Sequence, residues 1–537
     1  MPAEIIKQIE KLTSIGISLS KERNSVVLLE KILEGAKTLT QADAGTLYLV
    51  KDNQLHFEIL QTESLGLYLG GTSNNPISLS PIPLYLENGQ PNLQNVSAYT
   101  AVTGQTANIA DAYAVEGFNF QGTKSYDESN HYRSQSFLTV PMRNHEDEII
   151  GVLQLINALD KTNAKVVPFS FSDQKLAESL ASQAAIALTN SQLIGDLKHL
   201  LEKFIEVIAN AIDDKSPYTG GHCRRVPEIA SLLANAINDS KHITFADVRF
   251  SEQDLYELHI AAMLHDCGKI TTPVHVVDKA TKLETIHDRI SVIEERIETM
   301  KKDAEIQLLK TKLSASDNTA IEDAVQQYRL HINQLNDDFA FIAQANLGSE
   351  FMGEDSQNRI KQIAQHSWLD SQGNKRRLLD DDELYNLSIA KGTLTEEERQ
   401  IINHHITMTQ NMLNALPFPK HLQNVPEIAG NHHERMDGKG YPNGLKGDQL
   451  SIQAKLMCIA DVFEALTAAD RPYKKAMNLS TALTILGRMS MEGHIDCDLF
   501  NLFITEKVYL DYAQKFLSSE QIDIIDVEKI PGYKVNC

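Results

Sequence analysis

The chain has 537 residues, a formal net charge of −22 at pH 7, 42% hydrophobic residues and 23% charged ones. That balance excludes a fibrous or disordered chain, and the length exceeds one ordinary core, so two or three domains are expected. The acidic charge excludes a duplex-DNA binder, which needs clustered Lys and Arg against phosphate, but leaves room for a small anionic ligand beside a locally bound cation.

The opening MPAEIIKQIEKLTSIG lacks the uncharged apolar core of a signal peptide. No stretch approaches the roughly 20 apolar residues of a membrane span, so a cytoplasmic protein is expected. Five cysteines, Cys223, Cys267, Cys458, Cys497 and Cys537, are scattered without a Cys-x-x-Cys pair, the pattern of a reduced compartment. Residues 20–190 begin with helical periodicity in VVLLEKILEGAKTLT. Strand-like runs follow at AGTLYLV (44–50), LHFEIL (55–60), SFLTVPM (136–142) and EIIGVLQLI (148–156). Runs of Leu, Val, Ile and Phe bounded by turn residues predict one antiparallel sheet with flanking helices, an α+β domain.

A helix through LAESLASQAAIALTN (176–190) closes this domain and continues to about Ala211. Within it Leu193, Leu197, Leu200, Phe204 and Val207 alternate four and three residues apart. Such a seam fits either a linker coil in a homodimer or one amphipathic helix packed on its own domain. From Ile205 onward the pattern is helical, with Gly and Pro chiefly at loops such as SPYTGG and DGKGYPNG. Residues 285–385 stand apart: ISVIEERIETMKKDAEIQLLKTKL has apolar residues at helical spacing and dense charge between them, an inserted helical hairpin. The expected organisation is an α+β domain over 1–190, a linker helix over 191–212, an all-α domain over 213–515 and a tail over 516–537.

Three places concentrate chemistry: His265-Asp266 in AAMLHDCGKI, His432-His433 in NHHERMDGKGYP and Asp461 in IADVFEALT. Adjacent His and Asp at the end of an apolar helix set an imidazole beside a carboxylate that can bridge two cations. A lone buried His is more often a hydrogen-bonded core residue, so the signal lies in the combination.

That combination resembles the HD-GYP branch of the HD phosphohydrolase superfamily over residues 205–510. The matching pieces run in the family's order: SPYTGGHCRRV, LHDCGKI, LTEEERQIINHHI, NHHERMDGKGYPNGLKGDQL, IADVFEALTAADRPYKKA and GHID. The resemblance implies an all-helical fold, a centre of two or three divalent metals, and hydrolysis of cyclic di-GMP to pGpG and/or GMP. Carried over by position, His222, His265, Asp266 and Asp461 hold one ion; Asp266, His405, His432 and His433 hold the other. His405 is preferred to His404 from the alignment of LTEEERQIINHHI, and the insertion leaves His287 and His366 as rivals. Tyr218 stands where some members carry a Glu associated with a third metal, which favours two ions. Imidazole and carboxylate ligands without thiolates suit iron or manganese and are compatible with zinc. Such a pair acidifies a water for in-line attack on phosphorus. His265, Asp266 and Lys269 are the expected catalytic residues, Lys269 offsetting charge in the transition state. Arg471 and Lys474 match positions that contact substrate phosphates; Gly440, Tyr441 and Pro442 form the signature loop, with Gly440 and Tyr441 counted towards the substrate side.

The first half resembles a GAF domain through ADAGTLYLV, AVTGQTANIADAY, SFLTVPMRN, EIIGVLQLINA and PFSFSDQ. Asn157, Phe169 and Asp173 match part of a signature of cyclic-nucleotide-binding GAF domains, while Ala158 replaces its Lys. The three either line a pocket for a cyclic nucleotide or other small molecule, or support the fold. Two rival functions remain for the whole chain: hydrolysis of cyclic GMP–AMP instead, or an inactive nucleotide-sensing scaffold.

Overall fold

The computed structural model describes residues 2–22, 24–215, 221–240, 243–315, 317–348, 351–469 and 476–534. Tyr218, Arg471, Lys474 and Cys537 lie outside the described residues. The chain divides into two compact units, residues 1–201 and 202–537.

Period-two alternation organises the first unit. Its strands are β1 (Ala42–Lys51), β2 (Gln54–Thr62), β3 (Leu67–Gly70), β4 (Ile82–Pro83), β5 (Ala107–Ile109), β6 (Phe137–Arg143), β7 (Ile149–Leu159) and β8 (Val166–Val167). They form one antiparallel sheet in the order β3-β2-β1-β7-β6-β5, with β4 on β2 and β8 on β7. Along β7, Leu153 and Leu155 join a core with residues of α1 (Pro2–Lys21), α2 (Ser25–Thr40) and α5 (Phe171–Lys215). Between them Val152 and Gln154 face the other way, towards α3 (Val96–Thr103). Helix α4 (Gln121–Asn130) follows β5 in the chain. The sheet is thus covered on both faces, which is why its central strands read as nearly continuous apolar runs.

The second unit is built of α6 (His222–Asp239), α7 (Glu252–Leu264), α8 (Val274–Val277), α9 (Ile290–Ser314), α10 (Asn318–Asn346), α11 (Glu354–Ile363), α12 (Asp381–Leu387), α13 (Glu396–Asn414), α14 (Val425–Gly430), α15 (Ile452–Thr467), α16 (Leu479–Met491), α17 (Cys497–Thr505) and α18 (Val508–Phe516). Helix α6 packs on α7, α15 and α18, and α13 on α14 and on a 3-10 turn, Cys267–Thr271, that follows α7. Helices α9 to α12 have a core of their own, running from Leu283 to Leu387 and including Ile297, Leu335, Ile342 and Ile360. This insertion also contains a strand pair absent from the sequence reading, β9 (Ser367–Leu369) with β10 (Lys375–Arg377). Its second strand, KRR, is fully exposed and carries no apolar alternation to detect. Among the described residues no helix is long and apolar enough to cross a membrane.

Candidate metal centre

Three helix ends and two helix middles converge in the second unit. His222 is the first residue of α6, while His265 and Asp266 follow the last residue of α7. His405 lies within α13, whose phase is set by a capping box between Thr395 and Glu398. That phase buries His405 and leaves His404 exposed. His432 and His433 come just after α14, and Asp461 projects from α15. Two groups result, His222 with His265 and Asp266, and His405 with His432 and His433; the ligand atoms of each group lie within 4.8 Å of one another.

Asp266 faces both groups. Its Oδ2 is 3.3 Å from Nε2 of both His222 and His265, and its Oδ1 is 3.2 Å from His405 Nε2. Asp461 Oδ1 lies 3.3 Å from His222 Nε2 and 3.8 Å from His265 Nε2. The Lys269 ammonium donates to Asp266 Oδ2.

Helical backbone orients the imidazoles. Nδ1 of His265, His405 and His432 pairs with the carbonyl three residues earlier, of Ala262, Ile402 and Ala429. His222 Nδ1 instead pairs with Glu464 Oε2 at 2.5 Å, and Arg225 Nε donates to Glu464 Oε1 at 2.7 Å. Holding the proton on Nδ1 leaves Nε2 as the inward-facing acceptor, the arrangement that metal-binding histidines use. Among the described residues, Nε2 of His405 and His432 and Oδ1 of Asp266 are buried without a hydrogen-bond partner. Buried polar atoms are normally satisfied, so a cluster of orphaned acceptors aimed at one point fits a cation.

The electrostatics agree. Burial raises the Asp266 and Asp461 carboxyls, but the charges and hydrogen bonds of neighbouring side chains outweigh it and hold both well below the usual carboxylate range. Those neighbours are Lys269, His265 and His222 for Asp266, and His222, His432 and His433 for Asp461. Burial pushes His432 well below the ordinary imidazole range and His433 down to about 4, so both are neutral acceptors near pH 7. His222 runs the other way: burial opposes its charge, yet Glu464, Asp266 and Asp461 together raise it well above the ordinary value.

Two close approaches explain the glycines. A Cβ on Gly268 would lie 2.0 Å from the His405 carbonyl oxygen and 2.6 Å from Thr409 N. Gly268 N instead donates to Thr409 Oγ1 at 2.9 Å, and Thr409 Oγ1 donates to the His265 carbonyl at 3.2 Å. A Cβ on Gly440 would meet Glu434 Cα and Arg435 N at 2.5 Å. The buried Glu434 carboxylate accepts from Asn443 N (2.7 Å) and Leu445 N (2.9 Å), fastening the loop that places Tyr441 over His433 with ring centroids 4.9 Å apart.

Comparison with known proteins identifies the two domains. Residues 26–188 match the GAF domain model, and residues 219–351 and 382–499 match two models described as HD domain. The chain carries a GAF domain followed by an HD domain. Relatives of the chain include a 3'3'-cGAMP-specific phosphodiesterase 1 of Vibrio cholerae, 39% identical over 21% of this chain and 25% of that protein. A probable cyclic di-GMP phosphodiesterase of the same organism is 38% identical over 25% of this chain and 32% of that protein. The cyclic di-GMP phosphodiesterase response regulator RpfG of Xanthomonas campestris is 40% identical over 18% of this chain and 25% of that protein. The matched stretches thus span a quarter to a third of these relatives. A solved GAF domain of a Coxiella burnetii phosphoenolpyruvate-protein phosphotransferase covers 36% of this chain and 98% of that one, at 15% identity and TM-score 0.28.

The remaining expected residues fall elsewhere. In the HD domain His287 is exposed, and His366 Nε2 faces Asp338 Oδ2 at 3.1 Å inside the insertion. In the GAF domain, Asn157 Oδ1 accepts from Gln135 N and Ser136 N while its Nδ2 donates to Tyr132 and to the Arg133 carbonyl. Phe169 belongs to the core on the α2–α5 face, and Asp173 accepts from Ser170 at the start of α5. A cavity of about 320 Å³ lies instead among Tyr48, Phe57, Tyr126, Tyr132, Phe137 and Gln154, and Asn157, Phe169 and Asp173 do not line it. No charged side chain is among its described lining residues. Sequence reading passed over Glu464, which stands one helical turn after Asp461 on α15 and was findable by that spacing.

Proposed function

We propose that the HD domain is a phosphodiesterase that opens cyclic di-GMP to pGpG and/or GMP, with the GAF domain as its regulator. The observation that supports this most is Asp266, whose two oxygens face two separate histidine groups. On this reading His222, His265, Asp266 and Asp461 hold one divalent ion, and Asp266, His405, His432 and His433 a second, iron or manganese by the chemistry of the donors. Bound there, the ions would supply Lewis acidity and an acidified water for attack on phosphorus.

The protein's own groups do the rest. Glu464 and the helical carbonyls fix which nitrogen His222, His265, His405 and His432 offer. Lys269, a quarter exposed beside Asp266, offsets negative charge building on the phosphoryl oxygens. Tyr441 covers His433 and, with Gly440, walls the substrate side. Arg471 and Lys474 grip phosphate by family position. The apolar seam on α5 is open: Leu197, Leu200 and Val207 are each 64–65% exposed and Phe204 58%, which supports a parallel homodimer through this helix. The cGAMP-specific relative makes cyclic GMP–AMP the rival substrate.

The test is full-length protein loaded with Mn²⁺ or Fe²⁺, given a panel of cyclic dinucleotides, with products resolved by chromatography. Cyclic di-GMP should be consumed fastest. Faster consumption of cyclic GMP–AMP would reassign the substrate, and no turnover of any member would leave a nucleotide-sensing scaffold.

A further inference from the structure

The last turn of helix α5 carries Asp213, Asp214 and Lys215, and the first and third of these reach neighbouring elements. The buried Asp213 carboxylate reaches the start of α6, accepting from Gly221 N at 3.0 Å and from Cys223 N at 3.3 Å. Those amides flank His222. Helix α6 has no side-chain cap of its own, because its N-cap residue is Gly221, at φ 84°. The first amides of a helix need acceptors, and a carboxylate there also suits the helix dipole, so Asp213 supplies from α5 what α6 lacks.

Two residues on, the Lys215 ammonium directs its donors at three carbonyl oxygens, those of Lys269 (2.9 Å), Thr272 (2.6 Å) and Ile270. An ammonium has three N–H groups, so this is its full capacity. The three carbonyls close the 3-10 turn Cys267–Thr271, which follows Asp266 directly and carries Lys269. One turn of α5 therefore fastens the start of the helix that presents His222 and the turn that presents Lys269.

We propose that Asp213 and Lys215 are positioning residues for the centre, a clamp by which the end of α5 sets the aim of His222 and of Lys269. This rests on the phosphodiesterase reading above. Asp213 acts on a metal ligand, so its loss is felt in metal affinity. Lys215 acts on the turn bearing the charge-offsetting ammonium, so its loss is felt in turnover. Because both side chains leave the same turn, a displacement of the end of α5 alters both at once.

The experiment uses full-length protein carrying Asp213→Ala, Asp213→Asn, Lys215→Met or Lys215→Arg, each checked for folding by thermal melting. Mn²⁺ is titrated into metal-free protein by calorimetry, and kcat and KM are measured on the best cyclic dinucleotide. Hydrogen exchange is followed over residues 266–272. Asp213→Ala should weaken Mn²⁺ binding about tenfold or more, the usual scale for losing an outer partner of a ligand, with Asp213→Asn intermediate because it keeps one acceptor oxygen. Lys215→Met should bind Mn²⁺ normally, keep KM, lower kcat about tenfold and exchange faster over 266–272; Lys215→Arg should restore both. Should Asp213→Ala fail to fold, Asp213→Asn carries that arm. Wild-type Mn²⁺ affinity in the Asp213 variants, or an Arg variant no better than Met, would overturn the clamp. If the wild type turns over no cyclic dinucleotide, the phosphodiesterase reading falls, and Mn²⁺ affinity and exchange still decide the clamp.

Discussion

Gly268→Ala isolates the packing that joins the two halves of the centre. The new Cβ would stand 2.0 Å from the His405 carbonyl oxygen, 2.6 Å from Thr409 N and 2.8 Å from Thr409 Oγ1. Ordinary carbon contacts need roughly 3.5 Å, and two of these neighbours are helical backbone that cannot swing away. The 3-10 turn and α13 must therefore part by more than about 1 Å, at the upper end of the 1–3 kcal/mol usual for overpacking. Parting also breaks the bonds from Gly268 N to Thr409 and from Thr409 to His265, at about 1 kcal/mol each. The total is about 5 kcal/mol. Trp368, the one tryptophan of the chain, lies in the HD half, so its fluorescence during urea unfolding reports this unit and not the GAF domain. The same separation widens the 3.2 Å gap between Asp266 Oδ1 and His405 Nε2, so metal content should fall too. An unchanged urea midpoint with full metal content in Gly268→Ala would refute the reasoning.

Three further outcomes are expected. Asp266→Ala should empty both histidine groups and abolish turnover, His405→Ala should lose about half the metal, and His404→Ala none, by metal analysis of purified protein; metal loss on replacing His404 instead would move the ligand. Burial raises the Glu464 carboxyl, but His222 and Arg225 outweigh it and bring it down to about 2. A carboxylate depressed on folding contributes stability above its ordinary pKa near 4.5 and loses it as pH falls towards 2, so metal-free wild type should lose Tm over that window more steeply than Glu464→Gln. Leu197→Asp with Phe204→Asp should convert a dimer to a monomer by light scattering, and a wild-type monomer at micromolar concentration would discard the coil.

The candidate centre could be assembled from the sequence because its residues sit in motifs whose order survives a long insertion. His405 was preferred to His404 from the alignment of LTEEERQIINHHI, and the structure buries His405 and leaves His404 exposed. The central GAF strands, seven or more residues long, were legible as apolar runs bounded by turn residues. The short strands β3, β4, β5 and β8, of two to four residues, offer no period to read. Asp213 and Lys215 were invisible because they act on backbone amides and carbonyls, which no side-chain motif records. Asn157 drew notice as a signature residue, yet its position rewards a different property. It sits at φ 61°, where Asn is tolerated better than most residues, and its amide ties β7 to the approach to β6.

At the root of the insertion, the Lys279 ammonium meets Asn386 and both carboxylate oxygens of Glu398 at 2.8 Å, and the Thr393 hydroxyl donates to the Lys279 carbonyl at 3.1 Å. Residues 114 and 119 positions apart in sequence are thus neighbours in space. To the HD domain around it, the whole excursion is no wider than a tight turn. Its length can drift without straining the ligand helices on either side, since a doubling of an already closed loop costs only about 0.6 kcal/mol. His265 and His405 therefore meet as if the chain between them were short, and the insertion is free to acquire surface of its own while the centre keeps its shape.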